Sequence, residues 1–194
     1  MIELIPESYV DPLNFGAIFG RTAALHVDLG CGDGSFLTAL AEQMLEKNFL
    51  GIERLAGRIR SAARKAAGRD NVRVLRVETY YAVRYLLPPH SVEAFHLLFP
   101  DPWPKRRHRR RRIVTSDFLS AAATALAENG TLRITTDQSE YFEDIRRFAE
   151  QSRNFAAINE DGHRDLPASS FEKRFKSAGA TIYRLELRKV SPVT

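Results

Sequence analysis

The chain has 194 residues, of which 44% are hydrophobic and 27% charged, a composition that excludes a disordered or fibrous chain and allows one domain with a buried core. A single cysteine, Cys31, excludes an intrachain disulfide and a cysteine-based metal site. Residues 105–112 contain seven Lys or Arg and one His, although the net charge of the whole chain is only +5. The positive charge is therefore concentrated, which indicates a site for a polyanion.

The N-terminus lacks the basic start and apolar core of a signal peptide, and no apolar run approaches the ~18 residues of a membrane span. We therefore expect a soluble, cytoplasmic protein that makes no use of a membrane. Neither a linker nor an internal repeat divides the sequence, so we expect residues 1–194 to form one domain.

Short apolar runs rich in β-branched residues alternate along the chain with segments of helical period. The runs predict strands at residues 24–29, 48–52, 72–77, 92–99, 131–135 and 181–187. The helical segments lie at residues 35–46, 55–67, 81–86, 117–128 and 139–152, and Asn129 and Gly130 are expected to end the fourth of them. This alternation predicts an α/β fold with a mostly parallel sheet, helices on both faces and an antiparallel C-terminal strand at the edge.

The first long strand runs into a glycine-rich loop, Asp28-x-Gly30-x-Gly32-x-Gly34. Three glycines let the backbone turn sharply and approach a ligand at the carboxyl edge of a parallel sheet. A dinucleotide fingerprint would need glycine where this chain has Ser35. The carboxylate of Asp28 suits the sulfonium and ammonium groups of S-adenosylmethionine and would repel a pyrophosphate, so the loop favours the methyl donor over NAD.

Two further acids follow strands. Glu53 ends the second strand, 19 residues beyond Gly34, where an acid can bridge two ribose hydroxyls of either cofactor. Glu78 follows the third strand and can approach an adenine, although a solvated acid at a strand end is an equally good interpretation.

The fourth strand is apolar, which predicts a central position, and it leads into a loop rich in proline. Pro100 and Pro102 flank Asp101 and restrict the backbone around it, so a carboxylate is presented rigidly beside the cofactor site. Trp103 either packs under the loop or stacks on a base, and packing is favoured because most aromatic side chains are structural. The basic run begins four residues after Asp101, between a strand and a helix of the core. That position favours binding of RNA phosphates over a solvated surface or a localisation signal.

The loop and several later segments resemble the tRNA (guanine-N7)-methyltransferase family. The hallmark segment is similar to Phe99-Pro100-Asp101-Pro102-Trp103-Pro104-Lys105 with Arg107-His108 and Arg111-Arg112. The similarity continues through Thr136-Asp137, Phe171-Glu172 and residues 179–185, and it covers the chain from about residue 14 to the last strand.

This resemblance implies a Rossmann-like class I methyltransferase with a mostly parallel seven-stranded sheet. It implies transfer of a methyl group from S-adenosylmethionine to N7 of guanine 46 in the variable loop of tRNA, with neither a metal nor an accessory subunit. Two alternatives stay open: another RNA or amino-group methyltransferase on the same fold, or a non-catalytic RNA-binding protein.

The glycine loop and the resemblance together assign the expected site residues. Those for the cofactor are Asp28, Gly30, Gly32, Gly34, Glu53, Glu78 and Asp101, and Asp101 is also the expected catalytic residue. Those for the tRNA are Lys105, Arg107, Arg111, Asp137, Ser169, Phe171 and Glu172. The family usually has Asp at Glu78 and Thr at Ser169. From the residues alone, Asp137 can equally cap a helix, and Glu172 can be an ordinary acid of a first helical turn.

Overall fold

A computed structural model describes residues 2–158 and 166–190. The strands are β1 (Glu3–Leu4), β2 (Leu25–Leu29), β3 (Asn48–Glu53), β4 (Val72–Arg76), β5 (Val92–Leu98), β6 (Leu126–Thr136), β7 (Phe155–Ile158) and β8 (Tyr183–Lys189). The helices are α1 (Phe15–Phe19), α2 (Ser35–Gln43), α3 (Ala56–Lys65), α4 (Thr79–Tyr81), α5 (Ser116–Ala125), α6 (Ser139–Gln151) and α7 (Ser170–Ser177). A π-helical segment (Ala82–Leu86) continues α4, and a 3₁₀ helix (Arg106–Arg111) follows β5.

The strands form one sheet in the order β1-β4-β3-β2-β5-β6-β8-β7. Strands β1 to β6 run parallel to their neighbours, and β8 is antiparallel to both β6 and β7. The predicted α/β fold with a mostly parallel sheet is therefore confirmed. Alternation of side chains in β3 shows that both faces are covered, because Leu50 and Ile52 pack in one buried cluster while Phe49 packs in the other.

Two details of the sheet differ from the prediction. It contains eight strands instead of seven, because Glu3–Leu4 pairs with Val74 and Leu75 of β4. The C-terminal strand β8 is antiparallel as expected, but it lies between β6 and β7, and β7 forms the edge. Burial explains this order: Leu187 in β8 is 1% exposed and needs a neighbour on each side, whereas Ala156 and Ala157 in β7 are exposed.

The helix before β6 begins as predicted but ends early. The hydroxyl of Thr115 accepts a hydrogen bond from the backbone N–H of Phe118 at 3.1 Å, which caps the first turn of α5. The predicted end at Asn129 is wrong, because buried Leu126 already pairs with Val92 of β5. Asn129 does take the left-handed conformation, with φ of 60°, within β6. No helix within the described ranges is both long enough and apolar enough to cross a membrane.

Candidate active site

The carboxyl ends of β2, β3, β4 and β5 meet at one edge of the sheet and surround a cleft of about 630 Å³. The residues that line it include Gly30, Glu53, Glu78, Asp101, Trp103 and Arg111. The fold thus brings together four of the predicted cofactor residues and one predicted tRNA residue. The other predicted cofactor residues, Asp28, Gly32 and Gly34, belong to the same loop but not to the described lining of the cleft.

Glycine is required for different structural reasons at the two ends of the loop. Gly30 has φ of +77°, and a Cβ built on it would meet no atom within 4 Å, so its backbone is open to a close ligand. Gly34 has φ of +76°, but a Cβ there would lie 2.7 Å from Cβ of Ala62 in α3. Gly34 therefore allows α3 to pack against the loop, while Gly30 leaves room for a ligand.

Asp28 is buried in β2, where its strand neighbours are Gly51 and His96. Burial, together with the nearby carboxylates of Glu53 and Asp33, raises the pKa of Asp28 to about 8. A buried carboxyl with acidic neighbours is an unfavourable place for an anion. It is a favourable place for a cationic ligand, whose positive charge would return the carboxyl to its ionised form.

Glu53 is only 5% exposed and is held in place at the end of β3. Its Oε1 accepts a hydrogen bond from the backbone N–H of Leu55 at 2.9 Å, and Arg58 Nη1 lies 3.7 Å from its Oε2. The carboxylate is thus oriented before any ligand binds, as a contact to ribose hydroxyls requires.

Glu78 lines the same cleft but already has a structural role. Its two carboxylate oxygens accept hydrogen bonds from the backbone N–H groups of Tyr80 at 3.0 Å and Tyr81 at 2.7 Å. Glu78 is exposed and caps α4. Its contact with an adenine stays a prediction, and the cap explains an acid here independently of any ligand.

Asp101 is exposed at the cleft on a loop that is anchored on both sides. Phe99 and Trp103 have φ of 51° and 42°, a region that non-glycine residues rarely occupy. The backbone N–H of Phe99 donates to the carbonyl oxygen of Thr135 at 2.7 Å, and Arg112 Nε donates to the carbonyl oxygen of Pro102 at 2.8 Å. These bonds hold the strained backbone that presents Asp101.

Trp103 packs within the same loop, in agreement with the favoured interpretation of the sequence. The guanidinium of Arg111 lies over its ring, 4.9 Å from the centroid, and the ring of His108 meets it edge-on at 5.9 Å. Trp103 therefore connects the wall of the cleft to the basic run.

The basic run is not uniform. Arg112 is 6% exposed, its guanidinium lies 4.7 Å from the centroid of the Tyr141 ring, and it forms ion pairs with Asp144 and, at 3.2 Å, with Glu140. Arg109 also pairs with Glu140, at 2.6 Å. The other five cations form no ion pair with residues 2–158 or 166–190: Lys105, Arg106, Arg107, Arg110 and Arg111. Five of the seven cations can thus contact phosphates, whereas Arg112 is structural.

The predicted tRNA residues near the C-terminus form the start of α7. The hydroxyl of Ser169 accepts a hydrogen bond from the N–H of Glu172 at 3.1 Å, which caps the helix. Glu172 pairs with Lys176 at 2.7 Å and with Arg184. Partial burial acts to raise the pKa of Glu172, but the hydrogen bonds and charges of Lys176 and Arg184 outweigh it and lower that pKa below its ordinary value.

Aromatic contacts place this turn beside the Asp101 loop. The ring of Phe99 lies 6.4 Å from that of Phe171 and 5.2 Å from that of Phe175. Phe171 remains 40% exposed. A neighbouring cavity of about 440 Å³ is lined by Glu172 and Thr135, among others. The first turn of α7 therefore lies close to the loop that carries Asp101, and its contact with tRNA stays a prediction.

Asp137 follows β6, the neighbour of β5, and is half-buried. Its Oδ2 accepts a hydrogen bond from the side-chain amide of Gln138 at 2.6 Å. Gln138, not Asp137, occupies the N-cap position of α6, and its side chain makes no capping bond. The alternative that Asp137 caps this helix is therefore wrong.

Two features of the site were missed from the sequence. Arg54 and Arg58, which follow β3, line the cleft. Their position directly after Glu53 was a usable signal, because residues after a central parallel strand face the ligand edge. The burial of Arg112 could not be predicted from the neighbouring sequence, because its acidic partners lie 28 and 32 residues away along the chain.

The fold, the glycine loop and the acids at the strand ends define the class, a Rossmann-like methyltransferase. Solved structures of that class share the fold: 16S rRNA methyltransferase KamB has a TM-score of 0.64 at 16% identity, covering 92% of this chain and 93% of that one. An S-adenosylmethionine-dependent O-methyltransferase of Thermotoga maritima has a TM-score of 0.60 at 13% identity, covering 93% and 64%. At these identities the likeness shows the fold alone.

Sequence comparison identifies the family. A family model described as "Putative methyltransferase" matches residues 22–185. The tRNA (guanine-N(7)-)-methyltransferase of Thermotoga maritima is 35% identical over 97% of this chain, which spans 61% of that protein's length. The same-named protein of Leifsonia xyli subsp. xyli is 37% identical over 91% of this chain and 81% of its own length. The chain belongs to the tRNA (guanine-N7)-methyltransferase family.

Proposed function

We propose that this protein transfers the methyl group of S-adenosylmethionine to N7 of a guanine in tRNA. The observation that carries the proposal is the loop after β5, which places Asp101 in the same cleft as Gly30 and Glu53 and continues directly into the basic 3₁₀ helix. One loop thus connects the cofactor site to a surface for phosphates. We further propose guanine 46 of the variable loop as the acceptor, on the basis of the family's hallmark segment.

The residues of the cleft fit S-adenosylmethionine. Open space at Gly30 admits the ligand close to the backbone, and the oriented carboxylate of Glu53 suits the ribose hydroxyls. Asp28, whose pKa burial raises to about 8, gains a favourable charge partner when a cation binds near it. The bound cofactor supplies a methyl group made electrophilic by its sulfonium.

Methyl transfer to guanine N7 depends on the positions of the two reactants and needs no proton transfer. Guanine N7 has an in-plane lone pair and carries no proton at neutral pH, so no general base is needed. Positive charge appears on the base as the methyl group is transferred, and a carboxylate fixed nearby stabilises that charge. Asp101 takes this role, because its loop is held by the bonds of Phe99 and Pro102 to Thr135 and Arg112.

The tRNA is held by the cations of residues 105–111 and by the first turn of α7. Lys105, Arg107 and Arg111 contact phosphates, which explains why no acid in the described part of the chain neutralises them. Asp137, Ser169, Phe171 and Glu172 contact the RNA near the acceptor base. We also propose that residues 1–194 act as a single domain, in the cytoplasm and without an accessory subunit or a metal.

Labelled methyl transfer to a tRNA transcript, followed by borohydride and aniline, tests the proposal. Because N7-methylguanosine sites cleave under this treatment, we expect label in the RNA and one new scission in the variable loop. Asp101→Ala is expected to lose this activity and to keep most of its affinity for S-adenosylmethionine in calorimetry. Labelled RNA that resists scission would assign another methyltransferase, and failure of the wild-type protein to bind the cofactor would assign a non-catalytic RNA-binding protein.

A further inference from the structure

A second group of exposed arginines lies outside the basic run. It is at the edge of the sheet formed by β1 and β4, against which α3 packs. Arg60 and Arg64 are on α3, Arg76 ends β4, and Arg54 follows β3. All four are exposed, and none forms an ion pair with residues 2–158 or 166–190. We call these four arginines, together with Ile5 and Tyr9, the edge surface.

Grooves connect the edge surface to the active site. One groove is lined by Glu3, Ile5, Tyr9, Arg54 and Arg76, among others. A second contains Glu3 with Arg60 and Arg64. Arg54 and Glu78 line both the first groove and the cofactor cleft. The first groove therefore adjoins the cofactor cleft at Arg54 and Glu78, on the outer side of the expected cofactor site.

The chemistry of the edge surface suits RNA. Guanidinium groups bind phosphates through paired hydrogen bonds, and an aromatic ring between them offers a stacking face for a base. Tyr9 is 45% exposed, and its carbonyl oxygen accepts a hydrogen bond from the hydroxyl of Tyr81 at 2.9 Å, which fixes the backbone at the ring.

The acids that face the same grooves do not cancel this charge. Glu3 lies in both grooves, and the carboxylate of Glu78 is occupied by the N–H groups that it caps. The four arginines therefore retain an excess of positive charge, and this excess is continuous with the cleft.

We propose that the edge surface binds the sugar–phosphate backbone of the same tRNA, at a part of the molecule other than the segment that enters the cleft. The inference rests on the proposed function. Strands β4, which ends at Arg76, and β5, which leads into the Asp101 loop, are three strand spacings of about 4.8 Å apart, a lateral separation of about 14 Å. That distance corresponds to about four base-pair steps of about 3.4 Å, too far for the acceptor nucleotide alone.

The double substitution Arg60→Ala with Arg76→Ala tests the inference, and Arg54 is left intact because it lines the cofactor cleft. Arg153→Ala with Arg188→Ala is the matched control. It removes the same charge from exposed arginines near β7 and β8, at the opposite edge of the sheet. Binding of intact tRNA and of a 12-nucleotide single strand that carries the acceptor guanine is measured by fluorescence anisotropy at several salt concentrations.

For the test variant we expect about tenfold weaker binding of intact tRNA. The slope of log affinity against log salt should become shallower by about 1.5, since each lost phosphate contact contributes roughly 0.7 to 0.9. Affinity for the short strand and kcat at saturating tRNA should match the wild type. Equal affinities of the test and control variants for intact tRNA would overturn the inference. Absence of methyl transfer by the wild-type protein would instead overturn the proposed function. The two failures are distinguishable, because the binding assay tests the edge surface without requiring catalysis.

Discussion

Arg112 donates a hydrogen bond from Nε to the carbonyl oxygen of Pro102 at 2.8 Å, one residue from Asp101. The last cation of the basic run therefore faces inward, and its remaining nitrogens pair with Glu140 and Asp144 of α6. Arg112 thus fixes the carboxylate loop to the body of the protein, whereas the five cations of the same run that pair with no described acid stay exposed.

Replacement of Arg112 should destabilise the fold. Arg112→Ala leaves the partly buried Asp144 without this ion pair, and we expect the free energy of unfolding to fall by about 2–4 kcal/mol. Arg110→Ala removes an exposed cation of the same run and should change it by less than about 0.5 kcal/mol. Urea denaturation compares the two variants. Equal unfolding free energies would mean that the inward contacts of Arg112 contribute nothing.

Alanine at Gly30 should separate ligand binding from stability. Gly30 and Gly68 both have positive φ, +77° and +80°, and a Cβ at either would meet no atom within 4 Å. Both alanine variants therefore carry the same backbone cost, about 1–2 kcal/mol. Only Gly30→Ala should weaken binding of S-adenosylmethionine in calorimetry, by tenfold or more, because only Gly30 lines the cleft. Equal cofactor affinity in the two variants would remove Gly30 from the site.

Asp28 should make stability depend on pH when no cofactor is bound. Its pKa of about 8 in the folded protein exceeds the ordinary value of 3.8 for an aspartate, so the folded state holds the proton more tightly than the unfolded chain. The resulting stabilisation is complete below about pH 4 and is lost as the pH rises through about 8.

Substitution isolates this contribution from that of His26, whose pKa burial lowers to about 4, so that it titrates with the opposite sign. The free energies of unfolding of wild type and Asp28→Asn are compared from pH 4 to pH 9. The stability of the wild type relative to the variant should fall as the pH increases. In addition, S-adenosylmethionine should release a proton when it binds at pH 7, which appears as a buffer-dependent enthalpy. A difference independent of pH would contradict the burial of a protonated carboxyl.

Neutralising the exposed cations should weaken tRNA binding and spare cofactor binding. For Arg106→Ala, Arg107→Ala and Arg110→Ala combined, we expect a higher KM for tRNA and a salt slope shallower by about 2. Arg146→Ala, Arg153→Ala and Arg188→Ala combined serve as the control for net charge. An unchanged salt slope in the first variant would mean that the run does not face the RNA.

The features that were predicted correctly from the sequence are those determined by residues close together along the chain. The glycines of residues 28–34 allow the positive φ of a sharp turn, whereas the prolines around Asp101 restrict the backbone, so both turns follow from residue type. The acids at strand ends met in one cleft because parallel strands bring their carboxyl ends to the same edge.

The features that sequence missed depend on distant partners. Glu3–Leu4 is too short to show any period, and it is a strand only because β4 offers a free edge. The place of β8 inside the sheet depends on pairing with β6 and β7, neither of which precedes it closely in sequence. Arg112 looked like its neighbours in the basic run, and its burial follows from contacts with α6.

The acceptor atom is the most direct test of the whole account. Labelled methyl transfer is compared between two tRNAs that differ only at the variable-loop guanine, which in one of them is 7-deazaguanine and so lacks N7. The account predicts full incorporation into the guanine tRNA and none into the 7-deazaguanine tRNA, with equal binding of both. Equal labelling of the two tRNAs would contradict it.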